Sequence, residues 1–181
     1  MSETVSPDQL VSEAKKSYDM GDFLESAHAF EVAAQAYLSS GDELMAYEMK
    51  NNSCVAFLQA GEAESALQVV EGTIELFAKA GDLRRQGMAL GNLGAALEAL
   101  NRTEEAVDAY MQSADLLRHA GETELRVHVM RSLSALQLRT GRQIEALGTM
   151  QAGLEGVDKP TPKQRLLKRL LNIPFKLMNR S

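Results

Sequence analysis

The sequence contains few of the residues that bind metals or form disulfides. Among 181 residues there is one cysteine, no tryptophan and only three histidines. Cys54 has no second thiol with which to form a disulfide or ligate a metal, and His28, His119 and His128 lack metal-ligand spacing. Cys54 stands among apolar residues in a helical pattern, which predicts a buried core thiol. We therefore expect neither a metal nor a cofactor.

Long apolar runs and strong positive charge are also missing. No stretch of about 18 apolar residues occurs, and residues 1–20 lack the basic start and apolar core of a secretory signal. These absences predict a cytoplasmic protein. The net charge of −6 for the whole chain has the wrong sign for a nucleic-acid binder.

Aromatic residues make up only 5% of the chain, whereas Ala and Leu are plentiful and β-branched runs are few, a composition that favours helix over sheet. The sequence contains no GxxxxGK(S/T) phosphate loop, no HExxH and no GxSxG. Gly91 and Gly94 lie within a helical pattern rather than between a strand and a helix, so they do not indicate a phosphate site. We expect an all-α protein without catalytic activity.

The feature that the sequence does have is a strict 20-residue spacing of helix stops. Gly occurs at positions 21, 41, 61, 81, 121 and 141, and position 101 holds Asn, which also tolerates the left-handed conformation after a helix C-terminus. Ser6, Pro7 and Gln9 form a helix start before the first stop. The pattern predicts eight helices, near residues 7–20, 22–40, 42–60, 62–80, 82–100, 102–120, 122–140 and 142–156.

Successive helices form 40-residue pairs. The second helix of each pair carries a small residue five positions after the stop and a larger residue four positions further on. Small residues let two helices approach closely and large ones fill the space beyond, as in interdigitating helices. The small residues are Ser26, Ala66, Ala106 and Ala146, and the larger ones are Phe30, Val70, Tyr110 and Met150.

The third pair contains the run Asn92-Leu93-Gly94, followed by Leu97 and by Asn101 to Tyr110. This run resembles the tetratricopeptide repeat (TPR) family, in a variety with long, 40-residue repeats, because Ala106 and Tyr110 stand at the family's small and aromatic positions. The long helices are similar to those of soluble NSF attachment proteins and kinesin light chains.

The chain departs from the usual TPR pattern in three ways. Its unit exceeds the usual length of about 34 residues, and the proline that often ends a unit is missing. Gln137 is polar where its counterparts Phe57 and Leu97 are apolar.

The resemblance implies a right-handed superhelical solenoid of antiparallel helix pairs, in which the first helix of each pair lines a concave surface. Family members are binding modules, and such a groove suits an extended peptide or a helix of a partner. We therefore expect a scaffold or adaptor for protein–protein interaction. The residues expected to line its groove are Lys15, Asn51, Asn52, Gln59, Asn92, Glu98, Arg131 and Arg139, together with Val55, Met88, Ala95, His128 and Ser132.

Asn52 and Asn92 occupy equivalent positions one repeat apart. Chaperone-binding members of the family present an asparagine there, whose amide donates to and accepts from a peptide main chain. The basic positions with which those members clamp a terminal carboxylate correspond here to Glu48, His128 and Ser132. The resemblance therefore does not extend to recognition of chaperone C-termini.

Charge divides the chain at residue 158. Residues 1–158 contain 12 basic and 25 acidic residues, a net charge of −13, whereas residues 159–181 contain seven basic residues and no acidic one. We expect a repeat domain over 1–158 and a basic amphipathic segment over 159–181, with a helix start at Thr161-Pro162-Lys163-Gln164. The side chains expected to act in this segment are Leu166, Leu167, Lys168, Arg169, Leu170, Leu171 and Phe175.

Three roles for the basic segment remain open. In the first, it caps the apolar end of the last repeat, which repeat arrays need for solubility. In the second, it holds the protein at an anionic membrane surface, where each basic residue contributes about 1 kcal/mol, and the protein is a peripheral membrane assembly factor. In the third, it docks onto an acidic protein surface, including the groove of a second copy.

Overall fold

A computed structural model describes residues 6–155, 157, 160–167 and 169. These residues contain no strand, which agrees with the all-α prediction. Every helix bound lies within two residues of the bound expected from the glycine spacing. The helices are α1 (Pro7–Met20), α2 (Phe23–Ser39), α3 (Glu43–Ala60), α4 (Ala63–Lys79), α5 (Leu83–Ala99), α6 (Thr103–His119), α7 (Thr123–Arg139) and α8 (Gln143–Leu154).

Left-handed residues end the first seven helices. The six glycines at the predicted stops have φ between 68° and 87°, and Asn101 has φ 61°. Backbone bonds close each turn; after α4, for example, Asp82 N donates to Phe77 O at 3.0 Å. Since the next helix begins two residues after each stop, the chain reverses at every turn and consecutive helices are antiparallel.

The helices form a solenoid of stacked pairs with two layers. Each helix packs against the next one in the chain, and in addition α3 contacts α5 and α5 contacts α7. The first helices of the pairs therefore lie side by side in one layer, with the second helices behind them. The four small residues predicted for the helix contacts, Ser26, Ala66, Ala106 and Ala146, are all buried.

A glycine allows α5 and α6 to approach each other closely. A Cβ atom added at Gly94 of α5 would lie 2.7 Å from Cδ1 of Tyr110 on α6. The Tyr110 ring is buried and cannot move into solvent. The Gly94 and Tyr110 positions that carried the TPR resemblance are thus in direct contact.

The start of the basic segment is helical over residues 162–167. Thr161 N donates to Gln164 Oε1 at 2.7 Å, and Gln164 N donates to Thr161 Oγ1 at 3.3 Å, which is the predicted capping arrangement. Of the side chains expected to act in this segment, Lys168, Leu170, Leu171 and Phe175 lie outside the described residues. No helix in the described part of the chain is long and apolar enough to cross a membrane.

Candidate functional site

The layer of first helices encloses a cavity between α3, α5 and α7. Its volume is about 200 Å³. Apolar side chains line it together with three amides, an imidazole and the hydroxyl-bearing side chains of Ser132 and Tyr110, a combination typical of peptide and ligand sites. The lining residues include Val55, Met88, Ala95, Asn51, Asn52, Asn92, His128 and Ser132.

A second cavity, of about 290 Å³, lies next to the first at the α1 end of the layer. Lys15, Tyr18 and Phe30 line it, and it shares Asn52 and Val55 with the central cavity. The two cavities therefore form one groove, called the concave groove below, that runs across the first helices of all four pairs.

The three asparagines of the groove differ in their bonding. Asn92 Nδ2 donates to Asn51 Oδ1 at 2.9 Å, and Asn51 is only 5% exposed. This bond joins α3 to α5 inside the groove. Asn52 is half-buried, and among the described residues its amide makes only a 4.0 Å contact with the sulfur of Met49. Asn52 therefore keeps the hydrogen-bonding capacity of its amide for a ligand, whereas Asn92 uses one N–H on Asn51.

Ion pairs join neighbouring repeats along the same layer. Arg85 of α5 contacts Glu48 of α3 at 2.6 Å, and Arg139 of α7 pairs with Glu98 of α5. Tyr110 Oη also donates to Glu98 at 2.9 Å. Burial and the Glu98 carboxylate raise the pKa of Tyr110 far above its usual range, so this donor stays protonated. The layer of first helices therefore carries paired charges beside the concave groove.

The predicted groove residues do not all lie together. Lys15, Asn51, Asn52 and Asn92 line the concave groove, whereas Glu98 and Arg139 form the ion pair between α5 and α7. Gln59 is exposed near the end of α3 and lines neither cavity. The remaining residue, Arg131, lines a separate cavity near the C-terminal end of the solenoid.

That separate cavity, of about 520 Å³, lies between α7, α8 and the start of the basic segment. Met130 and Leu154 line it from the last helix pair, and Lys163 and Leu167 line it from the segment. Leu167 is half-buried there, whereas the neighbouring Leu166 is 59% exposed. Adjacent leucines thus face different surroundings.

The one thiol has no chemical role that the structure supports. Cys54 is buried in α3, and burial raises the pKa of its thiol to about 12, so it is protonated at neutral pH and a poor nucleophile. Within the described residues no three side chains of His, Cys, Asp or Glu come together as a metal site would require.

An all-α solenoid of helix pairs with a groove along its first helices defines a TPR-like helical-repeat protein. A family model of soluble NSF attachment proteins (SNAP) matches residues 6–151, most of the chain. The protein therefore belongs to the SNAP family.

Two solved structures show the same fold. Residues 41 to the end of MamA from Desulfovibrio magneticus RS-1 are 18% identical to this chain with a TM-score of 0.63, covering 85% of this chain and 78% of that one. A protein of nearly identical TPR-like repeats from Podospora anserina, described as a candidate kinesin light chain, is 13% identical with a TM-score of 0.71, covering 98% and 100%. A search of curated protein sequences found no match. The long-repeat variety of the TPR family stays a prediction.

Proposed function

We propose that the protein is a non-catalytic scaffold that binds a peptide or a helix of a partner protein in its concave groove. The observation that carries the proposal is the pairing of apolar lining residues with an amide, that of Asn52, that the fold leaves free. An amide donates and accepts, so it matches a main-chain peptide group. Val55, Met88 and Ala95 supply apolar contact beside it.

The bonds between repeats support a groove that exists before the partner binds. The Asn51–Asn92 bond and the Glu98–Arg139 pair join adjacent first helices at several points along the layer. A groove held in its binding geometry loses less entropy on association. Because Glu48 and Glu98 each have an arginine partner, we expect an internal, largely uncharged segment rather than a charged chain terminus.

Selection from a displayed peptide library tests this function. Peptides are selected on the wild-type protein and then measured on Val55→Lys, Asn52→Ala and, as a control, Gln112→Ala on the exposed side of α6. We expect Val55→Lys to weaken binding at least about tenfold and Asn52→Ala less, since a buried charge costs more than one lost hydrogen bond. Equal binding to Val55→Lys and to the control would contradict the proposal.

The alternative, a peripheral membrane assembly factor, is favoured by one observation. Leu166 is 59% exposed between Arg165 and Arg169, which are also exposed. An apolar side chain flanked by basic ones is suited to the surface of an anionic membrane. Vesicles with anionic lipid should then bind the full chain better than residues 1–158, and less so at high salt. Equal partitioning of the two forms would rule the alternative out.

A further inference from the structure

A cavity of about 550 Å³ lies on the other side of the solenoid, between α6 and α8 and over α7. None of the residues that line the concave groove contributes to it. Val107 and Met111 line it from α6, Leu133 and Gln137 from α7, and Gly148 from α8. It is called the α6–α8 cavity below.

Gln137, at the base of the α6–α8 cavity, is a buried polar residue that is 6% exposed. Its side-chain oxygen has no hydrogen-bond partner among the residues that the structure describes. The equivalent residues of earlier pairs, Phe57 and Leu97, are apolar and equally buried. A buried acceptor left unpaired destabilises a protein, so the packing of the repeat does not account for an amide here.

Gly148, in the wall of the cavity, is a second residue that lowers the stability of the fold. A glycine inside a helix lowers helix stability relative to other residues. A Cβ atom added at Gly148 would meet nothing within 4 Å, so no close contact requires a glycine. The equivalent positions of earlier pairs hold His28, Gln68 and Asp108. The absence of a side chain at 148 instead keeps the cavity open.

Three of the four charged residues that line the cavity have a partner of opposite charge. Arg142 pairs with Glu104, Arg126 donates to the main-chain oxygen of Glu155, and Asp115 pairs with Arg118. Glu145 pairs with Arg142 at 3.9 Å, and the guanidinium of Arg126 has no carboxylate partner among the described residues. The apolar part of the lining, around Val107, Met111 and Leu133, matches an aliphatic occupant.

We propose that the α6–α8 cavity binds an aliphatic side chain of a partner polypeptide, whose adjacent peptide group hydrogen-bonds to Gln137. Rotation of the Gln137 amide about its last side-chain bond exchanges oxygen and NH₂, so it can match either the N–H or the C=O of a peptide.

Exposed apolar residues beside the cavity favour a polypeptide over a small molecule. Ile144 is 85% exposed and lies four residues before Gly148, on the same face of α8. Leu147, three residues after Ile144, is 38% exposed. Met111, on the opposite wall, is 54% exposed. An apolar patch that extends beyond a cavity is typical of a protein-binding surface.

Nuclear magnetic resonance of methionine methyl groups in the full chain tests this site. Met111 lines the α6–α8 cavity and is the specific reporter, whereas Met130 lines both this cavity and the one beside the basic segment. Met45 and Met49 lie in the second pair as internal references. The probes are N-acetyl-leucinamide, which carries an aliphatic side chain and peptide groups, and N-acetyl-glycinamide, which lacks the side chain. We expect saturable shifts of Met111 and Met130 with the leucine probe and none with the glycine probe.

Three variants locate the binding. Gly148→Leu fills the cavity and should abolish the shifts, whereas Gln137→Leu should weaken binding at least about fivefold through the lost hydrogen bond. Gln68→Leu, the equivalent wall position on α4, is the control and should bind as wild type. If Gly148→Leu does not fold, Gly148→Gln, which introduces the residue found at 68, takes its place.

Shifts that are absent in the wild type, or that persist when residue 148 is enlarged, would overturn the proposal. Binding unaffected by Gln137→Leu would overturn the role of the amide. The test is independent of the concave groove, because Asn52→Ala should leave the titration unchanged while it weakens peptides bound on the other face.

Discussion

At the scale of single residues, neighbouring asparagines of the groove have different roles. Asn92 donates a hydrogen bond to the buried Asn51 oxygen, whereas Asn52 makes only a 4.0 Å contact, with Met49, in the described part of the chain. Asn92→Ala should lower the free energy of unfolding by about 1–3 kcal/mol, because it leaves a buried acceptor unpaired. Asn52→Ala should change it by no more than about 0.5 kcal/mol. Urea unfolding measures both changes in free energy, provided that the m-value of each variant equals that of the wild type.

The same pair of variants separates stability from binding. Asn52→Ala should weaken peptides selected on the wild type without changing the unfolding midpoint. A loss of stability in Asn52→Ala equal to that in Asn92→Ala would mean that Asn52 is structural and that the groove has been assigned to the wrong amide.

The repeat period could not have predicted this difference. A 40-residue offset makes Asn52 the counterpart of Asn92, but the hydrogen bond joins Asn92 to Asn51, and the Glu98–Arg139 pair has the same offset of 41 residues. The partner of a side chain in the next repeat depends on the angle at which neighbouring first helices cross. Sequence spacing specifies the helices but not that angle.

At the scale of helices, the most accurate predictions came from local signals. A left-handed residue ends a helix through its own backbone, so Gly at six stops and Asn101 were sufficient to place the helices. The last helix shows what happens without such a signal. The 20-residue spacing gives α8 no stop, because position 161 holds Thr rather than Gly or Asn. This helix ends at Leu154 rather than at 156, and Glu155 adopts an extended conformation.

Gln137 could be seen in the sequence as a departure from the pattern, but its burial and the cavity above it could not. They depend on the separation between α6 and α8, which pack on either side of α7 and are not consecutive in the chain. The relation between Gln137 and Gly148 follows only from that three-dimensional arrangement.

The contact between α5 and α6 gives a prediction at this scale. Gly94→Ala would place a methyl group 2.7 Å from the buried Tyr110 ring, so the two helices would have to separate. We expect a loss of about 1–3 kcal/mol in the free energy of unfolding. Gly72→Ala on α4 is the matched control, because its Cβ would make an ordinary 3.8 Å contact with Tyr47. It should be neutral or stabilise the helix by up to about 1 kcal/mol.

Thermal and urea unfolding of the two glycine variants tests whether the contact between α5 and α6 requires a glycine at position 94. If Gly94→Ala were as stable as Gly72→Ala, the close approach of α5 and α6 would not be a requirement of the third pair, and the position that carries the TPR resemblance would have no packing role.

At the scale of the whole molecule, contacts are local and the two ends differ. Each helix touches only its near neighbours, so the stability of one end is largely independent of the other. At the first end, Tyr37 Oη donates to Asp8 Oδ1 at 2.6 Å and ties α1 to α2. At the last end, residues 161–167 lie against α7 and α8. A change to the basic segment should therefore affect the last pair alone.

Adjacent leucines distinguish capping from membrane anchoring. Leu167 is half-buried against the last pair and Leu166 is 59% exposed. If the segment is a cap, Leu167→Ser should speed amide hydrogen exchange in α7 and α8 by about tenfold, which corresponds to about 1.4 kcal/mol of local stability, and leave α2 and α3 unchanged. Leu166→Ser should have no such effect, but it should weaken binding to anionic vesicles if the segment is an anchor. Exchange in α7 and α8 that stays at the wild-type rate in Leu167→Ser would show that this end of the solenoid is stable without the contact, and capping would no longer explain the apolar residues of the segment.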